Sequence, residues 1–361
     1  MLHWEVALLS PPYSTLSYAV PAYLPDRFWQ RGQRVCIPLG NRVRCGLLLS
    51  SSEVDPARPL KELLWPLEES PLLPEPCLDL ADHLSRHQMR SPGEILATAL
   101  PAKLRSADLK LDVRHSGFPR SIRLADLVKL DTGGKEKLAD LWLRGRVCLR
   151  HAAGLQEQVC VPLQDPPWPL RPQATRQIQV MDHLWEHGPQ QRSTLARKLG
   201  SGAAQALKGL EDKGLVCWRS GPEHLPGQAG DGDLGEFDLT SEQRRVLQGL
   251  QRDLEQGCTG VRLLHGVTGS GKTLVYLHLM KTCLEMGRSC LLLVPEVALA
   301  LQLWSQVRRR LGDRDAYLYH GYLAAGQKAD IFSRVAGRER PCAVVGTRSA
   351  VFMPSVRTRV M

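Results

Sequence analysis

Residues 266–273 read Gly-Val-Thr-Gly-Ser-Gly-Lys-Thr, a complete phosphate-binding loop. Such a loop works only when a strand leads into it and a helix begins where it ends, so that the helix N-terminus faces the phosphates. Gly266, Gly269 and Gly271 let the backbone turn tightly, and the amides of the loop, those of Val267, Thr268 and Ser270 included, can then point at phosphate oxygens. Lys272 supplies a point charge for the β- and γ-phosphates, and Thr273 offers a hydroxyl to Mg²⁺. The flanks suit this role. Val261–His265 is a short apolar run that predicts a buried strand, and Leu274, Leu277, Leu279, Met280, Cys283 and Leu284 recur at helical spacing over 273–286. The cofactor expected from the loop is a nucleoside triphosphate with Mg²⁺. The chain ends at Met361, before the acidic motif with which such a loop works, so the polypeptide as given is expected to lack part of its own active site.

With 361 residues there is room for two or three domains with real cores. The formal charge is +10, and residues 301–361 carry eleven Lys or Arg against four Asp or Glu. That balance suits nucleic acid or another polyanion, and equally suits a solvated basic surface. Ten scattered cysteines with no C-x-x-C pair argue against a zinc module or a disulfide framework and for reduced thiols in a cytoplasm. The opening Met1-Leu-His-Trp-Glu-Val lacks a basic n-region, and the most apolar stretch, 291–301, is too short to span a bilayer and contains Glu296. No membrane association is expected.

Four segments are expected. Residues 1–105 read as β-rich, with strands at Trp4–Leu9, Arg34–Pro38 and Arg44–Ser50, a turn at Leu39-Gly40-Asn41, and helical sequence over 74–100. Residues 106–220 contain a degenerate repeat. One copy runs from Leu124 to Arg150 and the other from Leu195 to Arg219, each reading as short helix, Gly-containing turn, second helix and short strand. With a helix over 176–187 ahead of the second copy, this is the pattern of a helix-turn-helix with the first strand of a wing, which could contact DNA or serve as a scaffold. Residues 221–237 are a Gly-, Pro- and Asp-rich linker. Residues 238–361 alternate strands (290–294, 316–319, 342–345) with helices (241–256, 273–286, 300–311, 327–334), which argues a parallel α/β sheet. His183-Leu-Trp-Glu-His187 matches an H-x-x-E-H zinc pattern, but Gly188-Pro189 ends the helix and no third ligand is evident.

The chain resembles the bacterial primosomal replication-restart helicases, the PriA family. The residues that carry the resemblance are Leu239-Thr-Ser-Glu-Gln243, the loop 266–273 with Leu274-Val-Tyr276, Leu293-Val-Pro-Glu-Val-Ala-Leu299, His320-Gly321 and Gly346-Thr-Arg-Ser-Ala-Val-Phe352. Weaker matches are Val6–Leu9 with Thr15–Tyr18, and Gly32–Gly40 with Cys45-Gly46. The resemblance implies a 3′-end DNA-binding domain, a winged-helix domain and an incomplete RecA-like first motor lobe. It implies that Gln243 lies by the adenine, and that Pro295, Glu296, Thr347, Arg348 and Ser349 line a single-strand path. It also implies that Leu16, Ser17, Gly40 and Lys61 meet a DNA 3′ end. Here the chain departs from the family: Leu16-Ser17 stands where Phe-Asp is expected, so a stacking ring and a carboxylate acceptor are missing. The family continues with an Asp-Glu-Glu-His strand, a zinc module and a second lobe, so zinc is expected only there.

The reading is therefore an amino-terminal portion of an ATP-dependent 3′→5′ DNA helicase that recognises stalled or branched forks. Its expected partners are branched DNA, single-stranded DNA, 3′ ends, and other primosome and single-strand-binding proteins. The alternative is a non-catalytic DNA-structure-binding protein with a vestigial ATP lobe.

Overall fold

The computed structural model describes residues 2–53, 60–151, 159–164, 166–187, 190–200, 202–219, 239–312, 315–338, 340–354 and 358–360. The expected linker, 221–237, lies outside them. The chain divides into two units, one comprising residues 1–156, 328–337 and 352–354, the other the remainder.

The first unit opens with strands β1 (Leu2–Leu8), β2 (Thr15–Ala19), β3 (Arg34–Leu39), β4 (Arg42–Glu53) and β5 (Trp65–Pro66). They form one antiparallel sheet ordered β2-β1-β4-β3-β5. The β3–β4 hairpin turns at Gly40, whose φ of +57° is the left-handed region that glycine enters without strain. Val6, Leu8, Val35, Ile37, Leu47 and Leu48 fill the core beneath it. The helical stretch expected over 74–100 is two helices, α1 (Glu75–Gln88) and α2 (Pro92–Ala99). Met89 leaves α1 in the left-handed conformation, and Pro92 can only open a helix, so Ser91 caps α2 by accepting from the Glu94 amide at 3.3 Å.

Arg34 is buried to 1% exposure beneath this sheet. Its Nε donates to Glu68 Oε1 at 2.6 Å, its Nη2 to the same oxygen, and its Nη1 to the Leu104 carbonyl. Burial pushes the Glu68 carboxyl up while Arg34 pulls it down, and Glu68 holds Arg34 charged against its own burial. The pair thus joins β3 to the segment after β5 and to the turn at 102–105.

The first unit also holds a three-stranded antiparallel sheet, β6 (Leu109–Val113), β7 (Ser121–Arg123) and β8 (Val147–His151), ordered β7-β6-β8. A 3-10 turn over Leu124–Lys129 leads to α3 (Thr132–Leu143). Trp142 of α3 stacks on Trp65 and Phe28 at 5.1 and 5.2 Å between ring centroids. The first helix of the first repeat copy is therefore a 3-10 turn, too short for α-helical bonding.

In the second unit, β9 (Val159–Pro162) lies between β10 (Gln190–Gln191) and β11 (Val216–Arg219). Helices α4 (Thr175–His187), α5 (Arg192–Leu199) and α6 (Ala203–Asp212) share a core of Val180, Met181, Leu184, Leu195, Leu207 and Leu210 with Val216 of the sheet. Beyond residue 238 come α7 (Ser241–Glu255), α8 (Lys272–Glu285), β12 (Ser289–Leu293), α9 (Val297–Leu311), β13 (Ala316–Tyr319), α10 (Ala325–Ala336), which belongs to the first unit from residue 328 on, β14 (Ala343–Gly346) and β15 (Thr358–Val360). The strands are parallel in the order β13-β14-β12-β15. Leu277, Met280 and Cys283 of α8, and Ala300, Trp304 and Val307 of α9, bury the apolar runs of β12–β14.

One expected strand is not formed. Residues 261–265 run irregularly, with Val261 95% and Leu263 89% exposed. The apolar sequence is suited to burial, but a strand exists only where a neighbour takes its hydrogen bonds, and no described strand pairs with this one. Among the described residues no helix is long and apolar enough to cross a membrane. The ten cysteines are free, six of them buried.

Removing one member of a buried ion pair strands the other charge. Arg34→Met should lower unfolding free energy by about 3–5 kcal/mol in urea titrations, and Arg34→Met with Glu68→Leu should recover most of that loss.

Candidate nucleotide site and nucleic-acid interface

The loop 266–273 sits at the head of α8. Gly271 caps the helix at φ +79° and Gly269 adopts φ +81°. Leu274 N bonds Gly271 O at 2.9 Å, so helical bonding starts as the loop ends. Amides and helix dipole therefore converge on one point. A Cβ on Gly266 would lie 2.6 Å from Ser270 Oγ, and one on Gly271 would strike Gln243 Nε2. Val267, Thr268, Gly269 and Ser270 are exposed, so the loop is open to a ligand. Lys272 Nζ folds across the loop and donates to Gly266 O at 2.8 Å and Val267 O at 2.9 Å. Thr273 is half-buried in the first turn of α8.

Gln243 holds this loop from outside. Thr240 and Gln243 form a reciprocal capping box on α7: Gln243 N donates to Thr240 Oγ1 at 3.2 Å, and Thr240 N to Gln243 Oε1 at 2.9 Å. The remaining end of the same amide, Nε2, donates to Ser270 O at 2.9 Å. Leu247 of α7 packs with Val275 and Leu279 of α8, and Gln251 donates to Thr282 Oγ1 at 2.8 Å, so the two helices move together. The loop residues fit the phosphates of a nucleoside triphosphate, and the Thr273 hydroxyl is a donor type that Mg²⁺ accepts alongside phosphate oxygens.

A second group gathers at the carboxyl ends of β12 and β14. Val294 N bonds Gly346 O at 2.9 Å, which sets Pro295 and Glu296 beside Thr347, Arg348 and Ser349. Thr347 N bonds Tyr319 O at 3.3 Å, and a Cβ on Gly346 would meet Ala350 Cβ at 2.6 Å, so glycine is required there. Arg348 and Ser349 are exposed. Ligands of parallel α/β sheets bind at this end of the strands.

The third group lies in the first unit, and there the structure divides the residues expected together. Alternation along β2 sends Leu16 and Tyr18 to one face and Ser17 to the other. Tyr18 Oη donates to Pro38 O at 3.1 Å, two residues before Gly40. Lys61 is exposed beside the end of β2, its carbonyl accepting from Ala19 N at 2.9 Å. Ser17 instead meets Glu5, its register partner on β1, donating to Glu5 Oε1 at 2.6 Å. His3 Nε2 is 4.0 Å from the same oxygen and 3.1 Å from Ser52 Oγ, while its Nδ1 is buried without a partner among the described residues. The carboxylate missing from position 17 is thus present on the same face, from the next strand. Sequence reasoning missed Glu5 because it lies twelve residues away and only the strand register brings it close.

Two family models match separate stretches of the chain. Residues 5–101 match the family model described as the 3′DNA-binding domain, and residues 236–352 match the res subunit of type III restriction enzymes, a helicase-type domain. Replication restart protein PriA of Bacillus subtilis is 27% identical over 93% of this chain and 45% of its own length. The PriA of Haemophilus influenzae is 26% identical over 96% of this chain and 42% of its own length. The chain is similar to these PriA proteins over nearly its whole length. It spans less than half the length of these two PriA relatives. The PriA of Synechocystis is 48% identical across a shorter stretch, 26% of this chain and 11% of its own length. Residues 102–235 lie outside both family models.

Thr240→Ala should remove one side of the capping box and lower stability by about 1 kcal/mol. If Gln243 couples that cap to the loop, the amides of 270–274 should exchange with deuterium faster in Thr240→Ala than in the parent chain. Faster exchange confined to 240–246 would mean that the loop stands without the cap.

Proposed function

We propose that this chain is the fork-recognising and nucleotide-binding portion of a PriA-type, ATP-dependent 3′→5′ replication-restart helicase. The observation that carries this reading is an open, helix-capped phosphate loop on the same chain as a 3′DNA-binding domain. Residues 239–361 act as the first, RecA-like motor lobe, and the parallel order of β12–β15 supports that reading. Residues 106–220 act as a winged-helix domain, supported by α4–α6 packed on the β9–β11 sheet. The partners are branched and single-stranded DNA, with other primosome and single-strand-binding proteins assembled around them.

When ATP binds, Lys272 exchanges the carbonyls of Gly266 and Val267 for phosphate oxygens, and the loop amides take the rest. The Thr273 hydroxyl would hold Mg²⁺, which would neutralise phosphate charge. Gln243 keeps the loop shaped through Ser270 and has one N–H and one lone pair left for an adenine edge. ATP supplies the free energy of phosphoryl transfer, and the edge formed by Pro295, Glu296 and 347–349 tracks the strand, Arg348 holding its phosphates. In the first unit, Glu5 accepts the terminal 3′-hydroxyl in place of the missing aspartate, with Ser17 and His3 fixing its carboxylate.

Two measurements test this. Lys272→Ala should abolish binding of a fluorescent ATP analogue and leave fork affinity unchanged. A fork with a free 3′-hydroxyl at its junction should bind the parent chain more tightly than one ending in 3′-phosphate. Glu5→Gln should erase roughly tenfold or more of that preference, the value of a charge-assisted hydrogen bond of about 1.5–3 kcal/mol. Equal affinity of the parent chain for both forks would reject the 3′-end reading.

A further inference from the structure

The β6–β7–β8 sheet lies outside both matched domains and carries cations that the reading above does not use. Its inner face buries Leu109, Leu111 and Val113, while Lys110 on the outer face is exposed. The register sets Lys110 directly opposite Arg123 on β7. Like charges placed opposite each other destabilise a sheet, so the arrangement gains from an anion laid across it.

The β6–β7 hairpin continues this surface. Its loop reads Arg114-His115-Ser116-Gly117-Phe118-Pro119-Arg120, closed by Val113 N to Arg120 O at 3.1 Å. Arg114, His115 and Arg120 are exposed, and Phe118 is half-buried. These four, with Asp112 and Cys148, border a cavity of about 550 Å³. Gly117 N donates to His115 Nδ1 at 3.0 Å, which leaves Nε2 as the outward nitrogen. The His115 and Phe118 rings meet edge-on, 6.4 Å apart. Among the described residues, the nearby ion pairs are Lys129–Asp126 and Arg144–Asp140, and neither includes Arg114 or Arg120. Asp112, the one carboxylate at the cavity, has an interaction of its own.

We propose that this hairpin and sheet face form a second single-strand nucleic-acid site, in which Arg114 and Arg120 bind successive phosphates and Phe118 stacks on a base. Paired guanidiniums alone would suit an acidic peptide equally. The aromatic ring in the same cavity favours a nucleic-acid strand, because stacking on a ring is how bases without a duplex partner are held. The proposal rests on the reading of this chain as a DNA binder only for the choice of probe, and needs neither the 3′-end pocket nor the phosphate loop.

The test uses the full chain without nucleotide and a labelled oligothymidylate of about 20 residues whose 3′ end is phosphorylated, so that a failed 3′-end pocket cannot imitate failure here. Arg114→Glu with Arg120→Glu should weaken binding roughly tenfold or more at low salt. It should also lower the slope of log K against log salt by about 1.4, two phosphates at about 0.7 each. Arg114→Gln with Arg120→Gln should lower the slope in the same direction, and serves if charge reversal reduces the yield of folded protein. Phe118→Ala should weaken the single strand several-fold and leave a duplex of equal length unaffected. Lys137→Glu, an exposed cation on α3, should change little, and the fork's preference for a free 3′-hydroxyl should survive every one of these variants. The proposal is overturned by an unchanged slope in the paired arginine variants, by a loss no larger than that of Lys137→Glu, or by the parent chain failing to bind the blocked strand. It is equally overturned if the arginine variants lose an Asp- and Glu-rich peptide while keeping the strand.

Discussion

The loop at 266–273 keeps residues 267–270 exposed, with one internal bond from Ser270 N to Val267 O at 3.2 Å, and its shape depends on a contact from α7. Buried amides would seek partners in the chain and close the loop. Here the shape is imposed from outside, by a single side-chain amide that caps α7 through one end and grips Ser270 through the other. The α7–α8 packing around Leu247, Val275 and Leu279 then carries that grip into the helix on which the loop rests. Gly271 is the meeting point, since any side chain there would displace the amide of Gln243.

The first unit is tied together differently. Its sheet could slide over the segment after β5 if only apolar contacts joined them, since such contacts are non-directional. The Arg34 guanidinium is directional, and its donors reach both Glu68 and the turn before β6. A buried charge is a poor source of stability but a strong source of uniqueness, because an alternative register would leave it unpaired.

Much of this was legible in sequence wherever one short segment holds all the information. The loop glycines, the β3–β4 turn and the span of β13 follow from local chemistry and alternation. What failed depends on distant partners. Val261–His265 has the composition of a strand but no neighbour among the described residues. The break at Met89 is encoded by Pro92, but helical periodicity reads straight through it. The Glu5–Ser17 pair required the β1–β2 register, which no motif records. The opposite faces of Leu16 and Ser17 follow from strand alternation, while their assignment to a 3′ end came from the family resemblance.

The ammonium of Lys272, folded back on its own loop, sets a threshold for any anion that would draw it away. Its charge already rests on two carbonyls, so an entering ligand must offer more than a pair of neutral dipoles to draw it away. A nucleoside has nothing to offer that nitrogen, and a monophosphate seated on the helix dipole is too short to reach far beyond it. Only a chain of phosphates can satisfy the amides and the lysine at once. On the proposed reading, nucleotide choice at this loop begins with charge and length.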